Sequence, residues 1–558
     1  MKHSNIIILI LMVLLILPIV SAKTGHMNLL TISGPNLTDG GVADLYLEVK
    51  PGRGSIYIDS YPLTKLDTQI STRFANEVAC DFLKKDCSKY DFFYKIRAEA
   101  SIVGGPSAGA GITILTISVL SDLKMNEEAI ITGSINSGGL IGPVGGIEGK
   151  VNAAIDNGFT TIIIPKWQSS INTSKIQERG LDEKITIVKA KNLEEALFHF
   201  TGKDFSKKQI NVSVSKEYTR IMASVAETLC QRSESILANI NDTNSSIRAI
   251  ADNFLNRSEI AKNTTNHYSR ASYCFSASLR LRNIEFSKKG ETELQIIYDE
   301  LKDQISSVEN EVDNINFTSL SELETYMIVK ERLTEARNYF DNIEYDNISS
   351  SSLAYTKERF FSAVAWSAFF ELNSREINLN EEHLRESCIN KIGEAEDRVN
   401  YIEIYLPEFV EDIKKQVDDA RYKYELKEYA LCLFKASRAK AEANILLTGL
   451  SIKQEDMRPV LLEKLEAIRN ILVEQESKGF FPLLGYSYYE YSNSLIDHDL
   501  VSSLTFAEYS LELSRLDMYF PINDGFNFHI QNELLLTFIL GFIAGVLVIT
   551  FVSLRRKS

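Results

Sequence analysis

The sequence predicts an α/β unit followed by an all-α unit and a C-terminal transmembrane helix. Three observations predict it. Strand and helix signals alternate over residues 43–203. From Lys216 to Phe520 glycine and proline become scarce, while Leu, Ile, Ala, Glu and Arg recur at three- and four-residue steps. Apolar runs stand near both ends, at Ile6–Val20 and Leu534–Leu554. A chain of 558 residues has length enough to bury several separate cores.

In chain order, Lys2-His3, the apolar run and Val20-Ser21-Ala22 read as a signal peptide over 1–22, or as an N-terminal anchor if it is not cleaved. Ala43–Val49 and Ser55–Ser60 roughly alternate apolar and polar residues, as half-buried strands do. Asp67–Leu83 has helical spacing, and Phe92–Ala100 returns to a strand. Ala110–Leu120 reads as a buried helix and Ala129–Ile131 as a strand. Gly138–Ile141 looks like a turn, and Pro143–Gly146 leads into a helix carrying Lys150. Gly158–Pro165 and Ile185–Val188 are strands, and Leu193–Phe200 closes the unit as a helix. Polar Lys203–Ser215 is a linker into an external helical domain over 216–520. Its helical stripes include Ile221/Val225/Leu229, Leu294–Ile315, Leu320–Ile343, Tyr355–Leu372, Cys388–Tyr405 and Tyr422–Leu447. The aromatic run Phe480–Tyr491 is expected in a helix–helix core. Residues 534–554 carry no charge and are long enough to span a bilayer as a helix. Arg555-Arg556-Lys557 follow at once, which leaves the C-terminus cytoplasmic and the main body outside, in a single-pass cell-membrane protein.

The formal net charge of −15 argues against a nucleic-acid partner, which would leave a basic footprint. The six cysteines fall as Cys80/Cys87, Cys230/Cys274 and Cys388/Cys432. An oxidising compartment favours disulfides over free thiols, and the shared spacing of the last two pairs suits two helices stapled across a hairpin. Arg280 and Arg438 each lie six residues after a cysteine, which hints at a repeated helical unit. No Cys/His cluster argues for a metal, and no motif calls for a cofactor.

The chemistry concentrates in two segments. Ser107 sits in Gly104-Gly105-Pro106-Ser107-Ala108-Gly109, and Lys150 follows 43 residues on in Gly145-Gly146-Ile147-Glu148-Gly149-Lys150. A serine hydroxyl becomes a nucleophile only when a base takes its proton. A lysine can be that base when a desolvated site leaves it neutral. Backbone N–H groups at the start of a helix are free to stabilise an oxyanion. Alone, Pro-Ser-Ala-Gly fits a capped turn equally well. The ordered set downstream decides: Thr132-Gly133-Ser134-Ile135, Gly138-Gly139-Leu140-Ile141, Pro143-Val144-Gly145-Gly146 and the strand ended by Pro165.

Over roughly Leu45–Thr201 this set resembles the proteolytic domain of the Lon protease family. The resemblance implies a Ser–Lys dyad, with Ser107 as nucleophile, Lys150 as general base and Thr132 orienting the lysine. Two positions depart from the family's pattern: Gly104 stands where many members have an acidic residue, and Ser134 follows Thr132-Gly133 where many have glutamate. The family usually couples its protease to an ATPase. The nearest P-loop candidate here, around Gly149-Lys150, has Val144 where the first glycine belongs and Val151 where the hydroxyl belongs. The resemblance therefore implies an ATP-independent serine endopeptidase acting on peptides or unfolded proteins, in a homo-oligomer by analogy. The competing expectation is a catalytically inactive Lon-like surface binding or scaffold protein.

Overall fold

The computed structural model describes residues 22–520 except 34–38, 62, 99–103, 169–184, 207–211, 241–245, 373 and 378, together with Gly541, Gly545 and Arg555. The first part is a mixed sheet with helices on both faces. Its strands are β1 (Lys23–Ser33), β2 (Asp39–Pro51), β3 (Ile56–Tyr61), β4 (Tyr90–Ala98), β5 (Ala129–Ile131), β8 (Thr161–Pro165) and β9 (Thr186–Ala190). The seven-stranded order is β3-β4-β2-β1-β5-β8-β9. Between β5 and β8 lies a small antiparallel hairpin of β6 (Ser134–Asn136) and β7 (Leu140–Gly142). Four helices belong to this part: α1 (Leu66–Leu83), α2 (Gly109–Leu120), α3 (Ile147–Asp156) and α4 (Leu193–Thr201).

The alternation expected for the second strand is realised: Ala43, Leu45, Leu47 and Val49 all point into the core. Helix α2 has no polar face and is buried at all twelve positions. Its two threonine hydroxyls are satisfied locally or across to neighbours, while the Ser118 hydroxyl is buried without a partner. Thr113 donates to the Gly109 carbonyl at 2.9 Å, and Thr116 shares a 2.7 Å hydrogen bond with Tyr94. Helix α1 covers α2 on one side.

One strand departs from the expected boundary at residue 43. Strand β1 pairs along its whole length with β2 and lies in the middle of the sheet. Gly25 and His26 weaken its strand signal, and it directly follows an apolar run. Yet Gly25 is required there, because a Cβ would run into Val119 and Leu115 of α2.

The second part is helical. Its helices are α5 (Lys216–Ala238), α6 (Ser246–Asn263), α7 (His267–Phe286), α8 (Glu291–Asp313), α9 (Leu320–Asp341), α10 (Ser350–Trp366), α11 (Glu381–Tyr405), α12 (Glu411–Glu425), α13 (Tyr429–Ser451), α14 (Met457–Ser477), α15 (Leu483–Leu495) and α16 (Leu500–Leu513). The stripe Ile221/Val225/Leu229 is buried as its spacing predicts. The aromatic run lies in this core: Tyr488 on α15 packs edge-on against Tyr268, and Tyr218 is hydrogen-bonded to Ser487 at 3.0 Å. The single helix expected over Tyr422–Leu447 is two helices. Lys427 turns the chain with φ of 61°, and nothing in Glu425–Glu428 signals the break because no glycine or proline is there.

All six cysteines pair in sequence order, Cys80–Cys87, Cys230–Cys274 and Cys388–Cys432. The two longer bridges do not staple adjacent hairpin helices. Each ties the first helix of a trio to the third, α5 to α7 and α11 to α13, with α6 or α12 between them.

The helical part docks on α1 and on the tip of the β6–β7 hairpin. Glu77 of α1 accepts from Arg398 at 2.8 Å and from Lys440 at 2.7 Å. The Arg398 guanidinium also lies 3.5 Å from the centre of the Phe74 ring. At the hairpin tip, Ser137 enters a fully buried ion pair between Lys464 and Glu508. No helix among the described residues is long and apolar enough to cross a membrane. The apolar runs at Ile6–Val20 and, apart from Gly541 and Gly545, at Leu534–Leu554 lie outside the described residues.

The bridges have different loop sizes, so their removal is expected to differ in cost. Replacing Cys388 and Cys432 by serine opens a 44-residue separation and should cost about 4 kcal/mol, by loop-closure entropy. Replacing Cys80 and Cys87, separated by 7, should cost roughly 2.5 kcal/mol. Chemical denaturation of the two double variants checks the order and the difference.

Candidate active site

Ser107 lies in a single turn of 3-10 helix, Pro106–Ala108, which runs directly into α2. Gly105 precedes it at φ 99° and ψ 159°, a conformation essentially closed to side chains. Pro106 at the first helical position adds no unsatisfied donor. The serine is half-buried, so its hydroxyl is held on a rigid platform without being sealed off.

Thr132 and Gly133 are laced to this turn. Gly133 N–H donates to the Ser107 carbonyl at 3.0 Å, and Thr132 Oγ1 donates to the same oxygen at 3.4 Å. Ala110 N–H in turn donates to the Gly133 carbonyl at 3.0 Å. Thr132 N–H reaches Ile163 of β8 at 3.1 Å, so the segment is fixed to the sheet from its other side. Thr132 itself is fully buried. The structure thus brings Ser107 and Thr132 into direct contact, through the serine's backbone.

Lys150 comes from α3, at the end of the Gly145–Lys150 segment. Gly146 starts this helix in the left-handed region at φ 65°, and its carbonyl accepts from Lys150 N–H at 3.1 Å. Helix α3 lies so close to the sheet that a Cβ at Gly40 of β2 would collide with the Gly149 carbonyl. Lys150 is 2% exposed. Burial pushes its ammonium pKa down from 10.5 to about 8. A lysine this close to neutrality at physiological pH has the property a general base needs.

The two departures noted in the sequence have local consequences. Gly104 is exposed and abuts the Lys65 side chain. Ser134 is buried with its hydroxyl unpartnered, crowded against Gly142. Among the described residues there is no group of three or more side chains fit to hold a metal. A serine–lysine contact is present elsewhere, between Ser137 and Lys464 at 2.7 Å. It is closed to solvent and Lys464 is ion-paired with Glu508 at 2.7 Å, so proximity there makes a structural joint.

Residues 71–201 match the family described as the Lon protease (S16) C-terminal proteolytic domain. That segment is similar to a Lon-type proteolytic domain. The chain is 29% identical to the Lon protease of Fervidobacterium nodosum over 174 residues, 30% of this chain and 21% of that protein. It is 32% identical to the archaeal Lon protease of Thermoplasma acidophilum over 113 residues, 20% of this chain and 17% of that protein. A similar 31% identity over 113 residues links it to the archaeal Lon protease of Pyrococcus abyssi, covering 11% of that protein. The chain thus spans about a fifth or less of the length of these relatives.

Sequence reasoning missed the contacts that brace this region. Thr68 of α1 donates to the Gly105 carbonyl at 3.4 Å, and Lys464 with Glu508 grips Ser137. Neither has a local sequence signal, because each contact joins segments far apart in the chain.

The buried Lys150 carries a stability cost with a defined pH dependence. Its folded pKa, about 8, lies below its ordinary 10.5, so between these values the unfolded chain binds more protons and stability rises with pH. Lys150→Met should therefore stabilise the protein by about 3 kcal/mol at pH 7. The gain should shrink across that window and be lost above pH 10.5. Denaturant titrations at pH 7 and pH 10.5 measure it.

Proposed function

We propose that this chain is a membrane-anchored, ATP-independent serine endopeptidase that hydrolyses peptide bonds with a Ser107–Lys150 dyad. The observation that carries the reading is the buried Lys150, near neutrality at physiological pH, in a domain of the Lon type. Neutral Lys150 takes the proton of Ser107 Oγ as that oxygen attacks the scissile carbonyl. The backbone N–H groups of Ser107 and Ala108, in the turn after Pro106, stabilise the oxyanion. Collapse of the tetrahedral intermediate transfers the lysine's proton to the leaving amine and leaves an acyl-enzyme, which water then hydrolyses. Thr132 fixes the platform under Ser107 through the serine's own carbonyl.

Several features support the rest of the reading. The sequence carries no P-loop, so substrates should be flexible peptides or unfolded proteins. The apolar runs, the basic Arg555–Lys557 cluster and the three disulfides suit a body outside the cell membrane with a cytoplasmic C-terminus. The buried, unpartnered Ser134 favours the alternative of an inactive scaffold, and one set of measurements decides between them. Ser107→Ala, Lys150→Ala and Lys150→Arg should each abolish casein hydrolysis without nucleotide, since guanidinium cannot give up its proton. Residues acting as a unit should also make the Ser107→Ala/Lys150→Ala double variant little worse than either single one. In the wild type, kcat/KM should fall about tenfold per pH unit below about 8 and level off above it. A Lys150→Ala variant with wild-type turnover would rule out the proposed base.

A further inference from the structure

The Gly104–Ser107 loop is gripped by a chain of contacts that starts in the helical part. Tyr405 is the last residue of α11, and its hydroxyl donates to Asp67 Oδ2 at 2.8 Å. Its ring is braced by Tyr401, with centroids 5.3 Å apart. Asp67 sits in the first turn of α1 and is 7% exposed. A carboxylate there suits the positive end of the helix. Its other oxygen, Oδ1, accepts from Thr68 N–H at 2.6 Å and lies 3.3 Å from Thr68 Oγ1, whose one proton it shares with the Gly105 carbonyl. Thr68 is 1% exposed and its hydroxyl also lies 3.4 Å from the Gly105 carbonyl. Gly105 is the residue whose positive φ aims the turn that carries Ser107.

Asp67 is therefore the junction between two parts of the molecule. One oxygen is held from α11, and the other fixes the threonine that touches the nucleophile loop. A buried carboxylate is expensive to leave unpartnered, so each of its bonds constrains the others. The contact links residues 338 positions apart, which makes it a property of the docked assembly and not of the α/β part alone. Gly104, exposed in this loop, contributes no side chain that could hold the turn from within.

We infer that Asp67 and Tyr405 are positioning residues for Ser107, so that the docked helical part sets the geometry of the nucleophile turn. This rests on the peptidase reading given above. The relay ends on a backbone carbonyl two residues before the nucleophile, so its loss should misplace Ser107 Oγ without removing any group that contacts substrate. Small displacements of a reacting group suffice to reduce turnover.

The test uses the full-length protein in detergent, with casein as substrate and a fluorophosphonate as probe of Ser107. Tyr405→Phe removes one hydroxyl and keeps the ring against Tyr401. It should lower kcat about tenfold, leave KM within about twofold and slow fluorophosphonate labelling by the same factor as kcat. Its melting temperature should match the wild type. Asp67→Ala should reduce kcat at least as much, and the Asp67→Ala/Tyr405→Phe double variant should be no worse than Asp67→Ala alone. Wild-type hydrolysis and labelling by Tyr405→Phe would overturn the inference, as would a raised KM with unchanged kcat. The two readings fail separately. A Ser107→Ala protein that still cleaves casein refutes the dyad, whereas an inactive Ser107→Ala beside a fully active Tyr405→Phe refutes only the positioning role.

Discussion

Helix α2 is buried on every side, and that constraint organises the rest of the molecule. A helix of this kind is stable in water only if it is covered all round. The sheet covers one side and α1 another, which leaves α1 to be covered in turn. The helical part meets that requirement through α11, packed on α1. Because Ser107 immediately precedes α2, the same burial that satisfies the helix fixes the position of the serine.

The joint between the two parts is ionic as much as apolar. Lys440 crosses it to Glu77 and, within the helical part, bonds to Glu394 and Glu512, as Lys391 also does. Burial works against the charge on Glu394, yet the two lysines beside it hold its carboxyl well below the ordinary range. For both lysines burial works against the charge, and the surrounding carboxylates outweigh it, raising their pKa values. Such networks contribute little net stability over well-packed apolar side chains, because desolvation offsets most of the attraction. What they do impose is a single way of docking, since any shift would leave a charge buried and unmatched. The Gly104–Ser107 loop, which touches α1 through Thr68, lies on the side of α1 that this docking fixes.

The parts of this molecule that were legible in the sequence are the local ones. The Gly104–Gly109 and Gly145–Lys150 segments are contiguous, their glycines mark backbone shapes that other residues resist, and so the candidate dyad could be named from them. The alternation in Ala43–Val49 and the unbroken apolar run of α2 were equally readable. The central strand β1 was not, because its Gly25 answers to the side chains of a helix that lies far along the chain. The break at Lys427 was hidden because a lysine occupies a conformation that usually announces itself with glycine. The cysteine spacing gave the correct partners but the wrong geometry, since a separation of 44 accommodates a third helix as easily as a long hairpin. Asp67 and Tyr405 carry no motif, and only folding makes them neighbours.

The two long bridges have a consequence for how the helical part withstands a break in its backbone. Cuts in the exposed turns of a helical array are the ordinary way such proteins are lost, because each cut frees a piece that can diffuse away. Here a nick anywhere between Cys230 and Cys274, or between Cys388 and Cys432, releases nothing. The fragments stay covalently joined, and the severed helices remain next to the surfaces they came from. The second bridge also spans the end of α11, so a clip in the turns after Tyr405 would leave that residue tethered to the rest of the unit. The molecule can thus be damaged in these stretches and still be one molecule.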